Sequence, residues 1–163
     1  MLKYFIILSY LGLIFQPLNA KVKAPNYEFK YETFLDFYPG KAIEAVKKKY
    51  GTTDDDRFIV KSKQYQFTVL TQNKDGVIFD FFARLPSYFL HDVFFQSLVN
   101  RLGKQDIYHK VGEEAFYVWN KNDFKHVYSA ACTITCFPIF YTVMPIQKNG
   151  QTPQIDKMNL LRK

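Results

Sequence analysis

The sequence predicts an α+β domain, mainly an antiparallel sheet packed by two helices, behind an N-terminal signal peptide. Three observations favour this fold class. Two segments have helical periodicity and are each closed by a glycine, several segments alternate apolar and polar residues, and Asn/Asp-rich turns separate them. Alternation with a period of two is typical of strands with one buried face, and a tight turn joins strands that run antiparallel.

Residues 1–20 predict a cleavable secretory signal. Lys3 precedes an apolar run of 12 residues that ends at Phe15, and the small residue Ala20 follows shortly after. This is the order of a signal peptide, whereas a helix that spans a bilayer needs roughly 20 apolar residues. A buried N-terminal helix is the alternative, but the polar stretch from Lys21 argues against it. We therefore expect an exported protein, periplasmic or secreted, with no transmembrane segment after cleavage.

Beyond the signal, residues 21–146 are predicted to form a single α+β domain, a usual size for one hydrophobic core. Residues 147–163 are polar, contain Gly150 and Pro153, and are expected to form a flexible C-terminal tail. Four apolar residues could dock part of this tail: Ile155, Met158, Leu160 and Leu161.

The two predicted helices have clear boundaries. The first runs from Lys41 to Tyr50 and is closed by Gly51, with its lysines on the face opposite its apolar residues. The second is capped by Ser87 and extends to about residue 102 before Gly103. Its apolar stripe is wide enough to pack on a sheet and comprises Leu90, Val93, Phe94, Leu98 and Leu102.

The predicted strands are arranged around two turns. Asp75-Gly76 in the Asn73–Gly76 segment is a strong hairpin signal, because these residues readily adopt positive φ. One extended segment, 58–71, precedes this turn, and a partner strand follows it. The complete set of predicted extended segments is 27–31, 58–71, 77–83, 107–111, 115–119, 124–134 and 137–144.

The two halves of the domain echo each other as helix, strand, Asn/Asp turn, strand. Phe67-Thr68-Val69 precedes the first turn, and Phe116-Tyr117-Val118 precedes a second turn at 120–123, a spacing of 49 residues between the first phenylalanines. If this is a true duplication, the outline resembles the tandem α–β–β modules of β-lactamase-inhibitor-like proteins. That resemblance implies architecture only and carries no function.

Composition gives a broad indication of the partner. The net charge of +7 suits a protein, a glycan or an anionic envelope surface, and no nucleic-acid-binding module is recognisable, so we expect no nucleic acid partner. The 17 Phe and 12 Tyr exceed what a surface usually carries, and any rings left exposed would form a binding face. The binding candidates are the run Lys47, Lys48 and Lys49, which could equally be a solvated helix face, and Trp119.

Cys132 and Cys136 are the only cysteines, and in an oxidising compartment they favour a disulfide. In a straight strand positions four apart lie about 13 Å apart, whereas a disulfide spans roughly 4.4–6.8 Å between Cα atoms. A bridge therefore requires a bend at Thr133–Thr135. Buried free thiols, or a redox or nucleophilic role, are the alternatives.

Other chemistry has weaker support. His126 could join Cys132 and Cys136 in a catalytic or metal site, but a zinc site generally needs four ligands. His91 or His109 could likewise form a catalytic Cys–His pair with one of the cysteines. No cofactor is expected. Asp54-Asp55-Asp56 lacks the glycine and distant glutamate of an EF-hand, so a solvated loop is favoured over calcium binding. Glu113 and Glu114 are adjacent and would point to opposite faces of a strand.

The apolar segment from Cys136 to Pro145 predicts either a central strand covered on both faces or an exposed edge that receives a partner or meets a membrane. Taken together, the sequence favours an exported, non-catalytic binding or interaction module with an unidentified ligand. The alternatives are a small exported enzyme that uses a Cys/His site and a peripheral binder of anionic membrane surfaces.

Overall fold

A computed structural model describes residues 30–51, 55–63, 65–86, 90–132, 136–147 and 152–155. The described chain contains a 3₁₀ helix, Tyr31–Phe37, and two α-helices, α1 (Ile43–Tyr50) and α2 (His91–Leu102). Its strands are β1 (Arg57–Lys61), β2 (Gln66–Lys74), β3 (Val77–Arg84), β4 (Ile107–Val111), β5 (Glu114–Lys121), β6 (Phe124–Cys132) and β7 (Cys136–Pro145). The predicted α+β class with a mainly antiparallel sheet is confirmed.

All seven strands form one sheet in the order β1-β2-β3-β7-β6-β5-β4. Every pair of neighbours is antiparallel, and the centre of the sheet is the pairing of β3 with β7, for example Phe81 with Val143. The segment 136–145 is therefore a central strand, and its interpretation as an exposed edge is wrong. Among the described strands, β1 and β4 form the two edges.

The helices pack on one side of this sheet, which we call the helix side. Phe34 of the 3₁₀ helix and Phe94 of α2 both contact Tyr141 of β7, with ring centroids 5.0 and 5.7 Å apart. Ile43 and Val46 of α1 are buried in the same core. Edge-to-face and tilted aromatic pairs of this kind bury large areas, so the rings counted in the sequence are mainly core.

Several predicted boundaries differ from the structure. The extended segment predicted at 58–71 is a hairpin: Ser62 and Tyr65 close the turn between β1 and β2 through a backbone hydrogen bond of 2.9 Å. Of the strand predicted at 27–31, Tyr31 begins the 3₁₀ helix, while Tyr27 and Phe29 lie outside the described residues. Helix α2 matches the predicted C-terminal boundary, but it begins at His91 with Leu90 as its N-cap, so the prediction that Ser87 caps it is wrong.

The segments proposed to echo each other occupy different environments. Phe67 and Val69 belong to the main core on the helix side. Phe116 and Val118 pack with a second cluster on the opposite side of the sheet. Because their side chains point to opposite sides, these two segments are not equivalent positions of a repeat.

Candidate functional site

The sheet side opposite the helices, which we call the far side, carries two rows of paired residues that cross all seven strands. The first row comprises Ile107, Val118, Val127, Thr142, Phe82, Leu70 and Arg57. The second row comprises His109, Phe116, Ser129, Phe140, Arg84, Thr68 and Ile59. Directly paired residues share a face, so each row is a continuous stripe.

The centre of the far side is aromatic. Phe82 and Phe140 are 5.2 Å apart between ring centroids, and Phe116 lies 6.3 Å from Phe140. Both Phe82 and Phe140 are almost fully buried, at 5% and 6% exposure, whereas Ile59 and Ile107 at the ends of the rows are exposed. None of the residues in this cluster belongs to the 3₁₀ helix, α1 or α2.

Two arginines lie at the β1–β3 end of the far side. Arg57 and Arg84, together with Thr68, Leu70 and Phe82, line a cavity of about 250 Å³. One guanidinium is already paired, since Nη2 of Arg57 lies 2.9 Å from a carboxylate oxygen of Asp55. The cavity therefore combines an apolar floor with positive charge, which suits an acidic group attached to an apolar body.

A short piece of the predicted tail lies at another part of the far side. The amide of Gln72 donates to the carbonyl of Thr152 at 2.8 Å, and the backbone N–H of Gln154 donates to Asp80 at 2.9 Å. Ile155 packs against the far-side cluster. Of the apolar residues expected to dock the tail, Ile155 does so, and Met158, Leu160 and Leu161 lie outside the described residues.

Cys132 and Cys136 are joined by a disulfide, and neither is free. The last residue of β6 pairs directly with the first residue of β7, which brings the two Cα atoms to 4.0 Å. The chain therefore reverses direction between them, as the bridge requires, and residues 133–135 lie outside the described part. While the bond is intact, neither sulfur is available as a nucleophile or metal ligand.

His126 lies away from both cysteines, six positions along the same strand and within the core. Its Nε2 is 3.1 Å from the hydroxyl of Tyr38 and its Nδ1 is 2.8 Å from the hydroxyl of Tyr141. Burial lowers the pKa of His126 to about 4, so the ring is neutral at physiological pH. Both ring nitrogens are thus occupied by tyrosines, an arrangement that holds a buried polar group rather than a substrate.

The predicted binding residues lie apart from each other. Trp119 is completely buried, and its indole N–H donates to the carbonyl of Gly103 at 2.8 Å, so it offers no surface to a ligand. On α1, Lys47 pairs with Glu44 at 3.1 Å and Lys49 with Asp36 at 2.6 Å, which leaves Lys48 exposed between two neutralised charges. This favours the solvated-face interpretation of the lysine run.

The remaining candidates are also separate. His91 lies 2.6 Å from the hydroxyl of Tyr128 through its Nδ1, and His109 is exposed on the edge strand β4. Glu114 accepts a hydrogen bond from Ser129, while its neighbour Glu113 is exposed. Within the described residues no group of three or more His, Cys, Asp or Glu could hold a metal ion. Asp54 of the acidic run lies outside them.

Sequence reasoning missed the far-side rows and their arginines. Arg57 and Arg84 each stand one position outside the strands predicted from the periodicity, at 58–71 and 77–83. The Asp75-Gly76 turn was not a sufficient signal. It pairs Lys74 with Val77, but the register shifts at a bulge between Gln72 and Asn73, so Thr68 pairs with Arg84 rather than with Ala83.

No helix in the described part of the chain is long and apolar enough to cross a membrane. No protein-family model matches this sequence, and no curated protein matches it. One solved structure is similar, that of a DUF4309 family protein (YjgB) from Bacillus subtilis. The two chains are 12% identical, the similarity covers 64% of this chain and 78% of that one, and the TM-score is 0.40.

Proposed function

We propose that this chain is an exported, non-catalytic binding module whose far side docks a partner protein. The observation that carries the proposal is the pair of cross-strand rows, in which a buried centre at Phe82 and Phe140 is flanked by partly or fully exposed apolar side chains: Ile107, Val118, Phe116, Leu70 and Ile59. A sheet face that presents aromatic and aliphatic side chains to something other than its own packing helices is typical of an interaction surface.

Charge defines the kind of partner. Arg57 and Arg84 sit beside the aromatic centre, and the whole chain carries +7. Arginine is enriched at protein interfaces, where its guanidinium can bind a carboxylate in a bidentate fashion. We therefore expect the docking surface of the partner to combine apolar side chains with acidic ones.

A protein partner is favoured over a membrane surface because the rings of the rows are little exposed. Of their three phenylalanines, Phe82 and Phe140 are nearly buried within the sheet face and Phe116 is partly buried. Peripheral membrane binders instead insert exposed aromatic and aliphatic side chains below the headgroups. Attachment to vesicles is therefore an outcome that would count against the proposal.

The proposal that the module is non-catalytic is supported by the contacts of the three residues that the sequence offered as catalytic candidates. Cys132 and Cys136 are bonded to each other, and His126 is enclosed by two tyrosines.

Export is supported by the order of residues in 1–20 and is tested by the N-terminus of the native protein. Mass spectrometry is expected to find Lys21 as the first residue, and a native protein that begins at Met1 in the cytosol would overturn export.

The docking surface is tested by comparing two neighbouring residues of β4. Ile107 belongs to a far-side row and Tyr108 points to the helix side, yet their exposures are similar, at 51% and 54%. A photo-reactive benzoylphenylalanine is placed at one position or the other, and the protein is cross-linked in the cells that make it. We expect a discrete protein adduct from position 107, none from position 108, and loss of the adduct when Arg84→Glu is added.

Three results would overturn the docking proposal: equal adducts from both positions, no adduct from position 107, or an adduct that Arg84→Glu leaves unchanged. Lys48→Glu is the matched control for charge, because Lys48 is exposed on α1, which packs on the helix side of the sheet. Salt-sensitive binding to vesicles of anionic lipid, without a protein adduct, would replace the partner protein by a membrane surface.

A further inference from the structure

A second site lies at one end of the sheet, away from both far-side rows. It is a cleft of about 560 Å³ between the start of β3, the β6 turn and the end of β7. Its walls are mainly apolar and include Pro39, Ile78, Phe79, Phe124, Pro145 and Ile146. A volume of this size and an apolar lining are typical of sites that bind small molecules. None of its lining residues belongs to either row.

The walls of the cleft are fixed by backbone hydrogen bonds. The N–H of Gly40 donates to the carbonyl of Ile78 at 2.9 Å, and the N–H of Ile78 donates to the carbonyl of Lys41 at 2.8 Å. On the opposite wall, the N–H of Ile146 donates to the carbonyl of Asp123 at 2.9 Å. The cleft is therefore held open by the fold before any ligand arrives, which reduces the entropic cost of binding.

Among the described residues that line the cleft, Asp123 is the one with a charged side chain, and the other polar side chain is that of Gln147. This is unusual for a chain with a net charge of +7. Lys41, which follows Gly40 in the chain, lines a different cavity with Leu35 and Asp36. A ligand that complements an apolar cleft with one carboxylate carries a single positive charge on an apolar body.

We propose that this cleft binds a small apolar amine, with the hydrocarbon part against Ile78, Phe79 and Phe124 and the ammonium group at Asp123. The ammonium gains a charge-assisted hydrogen bond from the carboxylate, while the body of the ligand gains burial against apolar walls. The proposal does not depend on the docking role of the far side.

The proposal is tested with phenethylamine by following backbone amide signals of the ¹⁵N-labelled protein during titration. We expect saturable shifts at Gly40, Ile78 and Gln147, and none along the far-side rows. The neutral isostere phenethyl alcohol and the anionic analogue hydrocinnamate share the aromatic body. Because a partly exposed ion pair contributes only modestly to affinity, we expect the alcohol to bind about threefold more weakly and hydrocinnamate more weakly still.

Asp123→Asn is the decisive variant, because asparagine also tolerates the positive φ of 66° at this position and the turn is retained. It should reduce phenethylamine binding to the level of the alcohol and leave alcohol binding unchanged. Asp75→Asn is the control, since Asp75 holds a similar φ of 53° in the β2–β3 turn. Equal affinity for the amine and the alcohol, no saturable shift at the cleft, or an unchanged amine affinity in Asp123→Asn would overturn the proposal.

A second variant keeps the test independent of the turn. Ile146→Lys places a positive charge at the rim of the cleft, at a residue that is already 45% exposed. It should abolish amine binding through repulsion and competition for Asp123, while the amide spectrum elsewhere stays that of the folded protein. Retained amine binding in this variant would contradict the assigned position of the ammonium group.

Discussion

At the scale of single residues, the core contains a polar chain that its surroundings keep uncharged. His126 lies between the hydroxyls of Tyr38 and Tyr141, and burial raises the pKa of both tyrosines above the usual value. A neutral imidazole has one donor and one acceptor nitrogen, so it satisfies one tyrosine with each. Protonation would give the ring two donors and place a charge in an apolar core.

The first prediction concerns the pH dependence of stability. The pKa of His126 falls from an ordinary 6.5 to about 4 in the folded protein. The unfolded chain therefore binds more protons between these values, so stability is fully present above pH 6.5 and falls as the pH decreases. We expect this histidine to remove on the order of 2 kcal/mol between pH 6.5 and about pH 5, measured as the free energy of unfolding in urea.

His126→Gln, which keeps one donor and one acceptor, should flatten this pH dependence. His109→Gln is the control, because His109 is exposed on β4 and should leave the slope as it is. Burial lowers the pKa of His91 as well, so a residual slope of the same sign is expected in His126→Gln. An unchanged slope in that variant would show that His126 does not titrate between the two states as described.

The second prediction concerns Trp119. Trp119→Phe removes the indole N–H that satisfies the carbonyl of Gly103 and leaves a void in the core. We expect a loss of about 2–4 kcal/mol in the free energy of unfolding, followed by circular dichroism. Tyr108→Phe, at an exposed position, should change stability by less than about 0.5 kcal/mol. Similar effects of the two substitutions would contradict the buried placement of Trp119.

Residue types alone could not predict these environments. His126 and Trp119 were chosen from the sequence as chemistry-bearing residues, and both are core residues. The information that places them is non-local: Tyr38 is 88 positions from His126 along the chain, and Gly103 is 16 positions from Trp119. Only the packing of the 3₁₀ helix on the sheet, which places its C-cap Tyr38, and the position of α2 bring those partners together.

At the scale of secondary-structure elements, the sequence predicted those turns whose conformation depends on the residue types within the turn. Asp75 and Gly76 adopt positive φ, as do Asn122 and Asp123, so both predicted turns join the strands that flank them. The break between β1 and β2 was missed because Ser62-Lys63-Gln64-Tyr65 contains no Gly, Pro, Asn or Asp. There the turn depends on Ser62, whose hydroxyl accepts a hydrogen bond from the N–H of Tyr65 at 3.1 Å.

The third prediction concerns the disulfide between β6 and β7. Because the bridge closes a very short loop, the chain-entropy model gives it a contribution of only about 2 kcal/mol. The hairpin has further support, since β6 and β7 pair from Phe124–Pro145 to Cys132–Cys136. We therefore expect the double variant Cys132→Ser, Cys136→Ser to stay folded and to lose about 2 kcal/mol or less in urea unfolding.

Reduction of the native protein should add two hydrogen atoms to its mass and make both thiols reactive toward alkylation. Loss of the folded spectrum in the double variant would mean that the disulfide, rather than strand pairing, holds β6 to β7. A native mass that does not change on reduction would show that the thiols are unbridged in the exported protein.

At the scale of the whole molecule, the order of the strands is what the sequence could not supply. β3 and β7 are separated by α2 and three other strands, yet they form the centre of the sheet. Their pairing assembles the far-side rows, because Phe82 and Arg84 of β3 meet Thr142 and Phe140 of β7. A surface made by strands from both halves of the chain has no local signature.

The same strand order predicts which strands of the sheet unfold locally first. β7 is paired on both sides and is mostly buried, whereas β4 is paired only with β5 and all five of its residues are exposed. Local opening costs least where few apolar contacts are lost, so amide hydrogen exchange should be fastest in β4 and slowest in β7 and its neighbour β6. Exchange measured by NMR at increasing urea should show β4 opening well below the global transition.

Equal protection of β4 and β7 would mean that a further contact covers the β4 edge. The variant Lys110→Pro would distinguish a covered edge from a free one. On a free edge it should leave β6 and β7 protected, whereas disruption that spreads to β7 would contradict the proposed hierarchy.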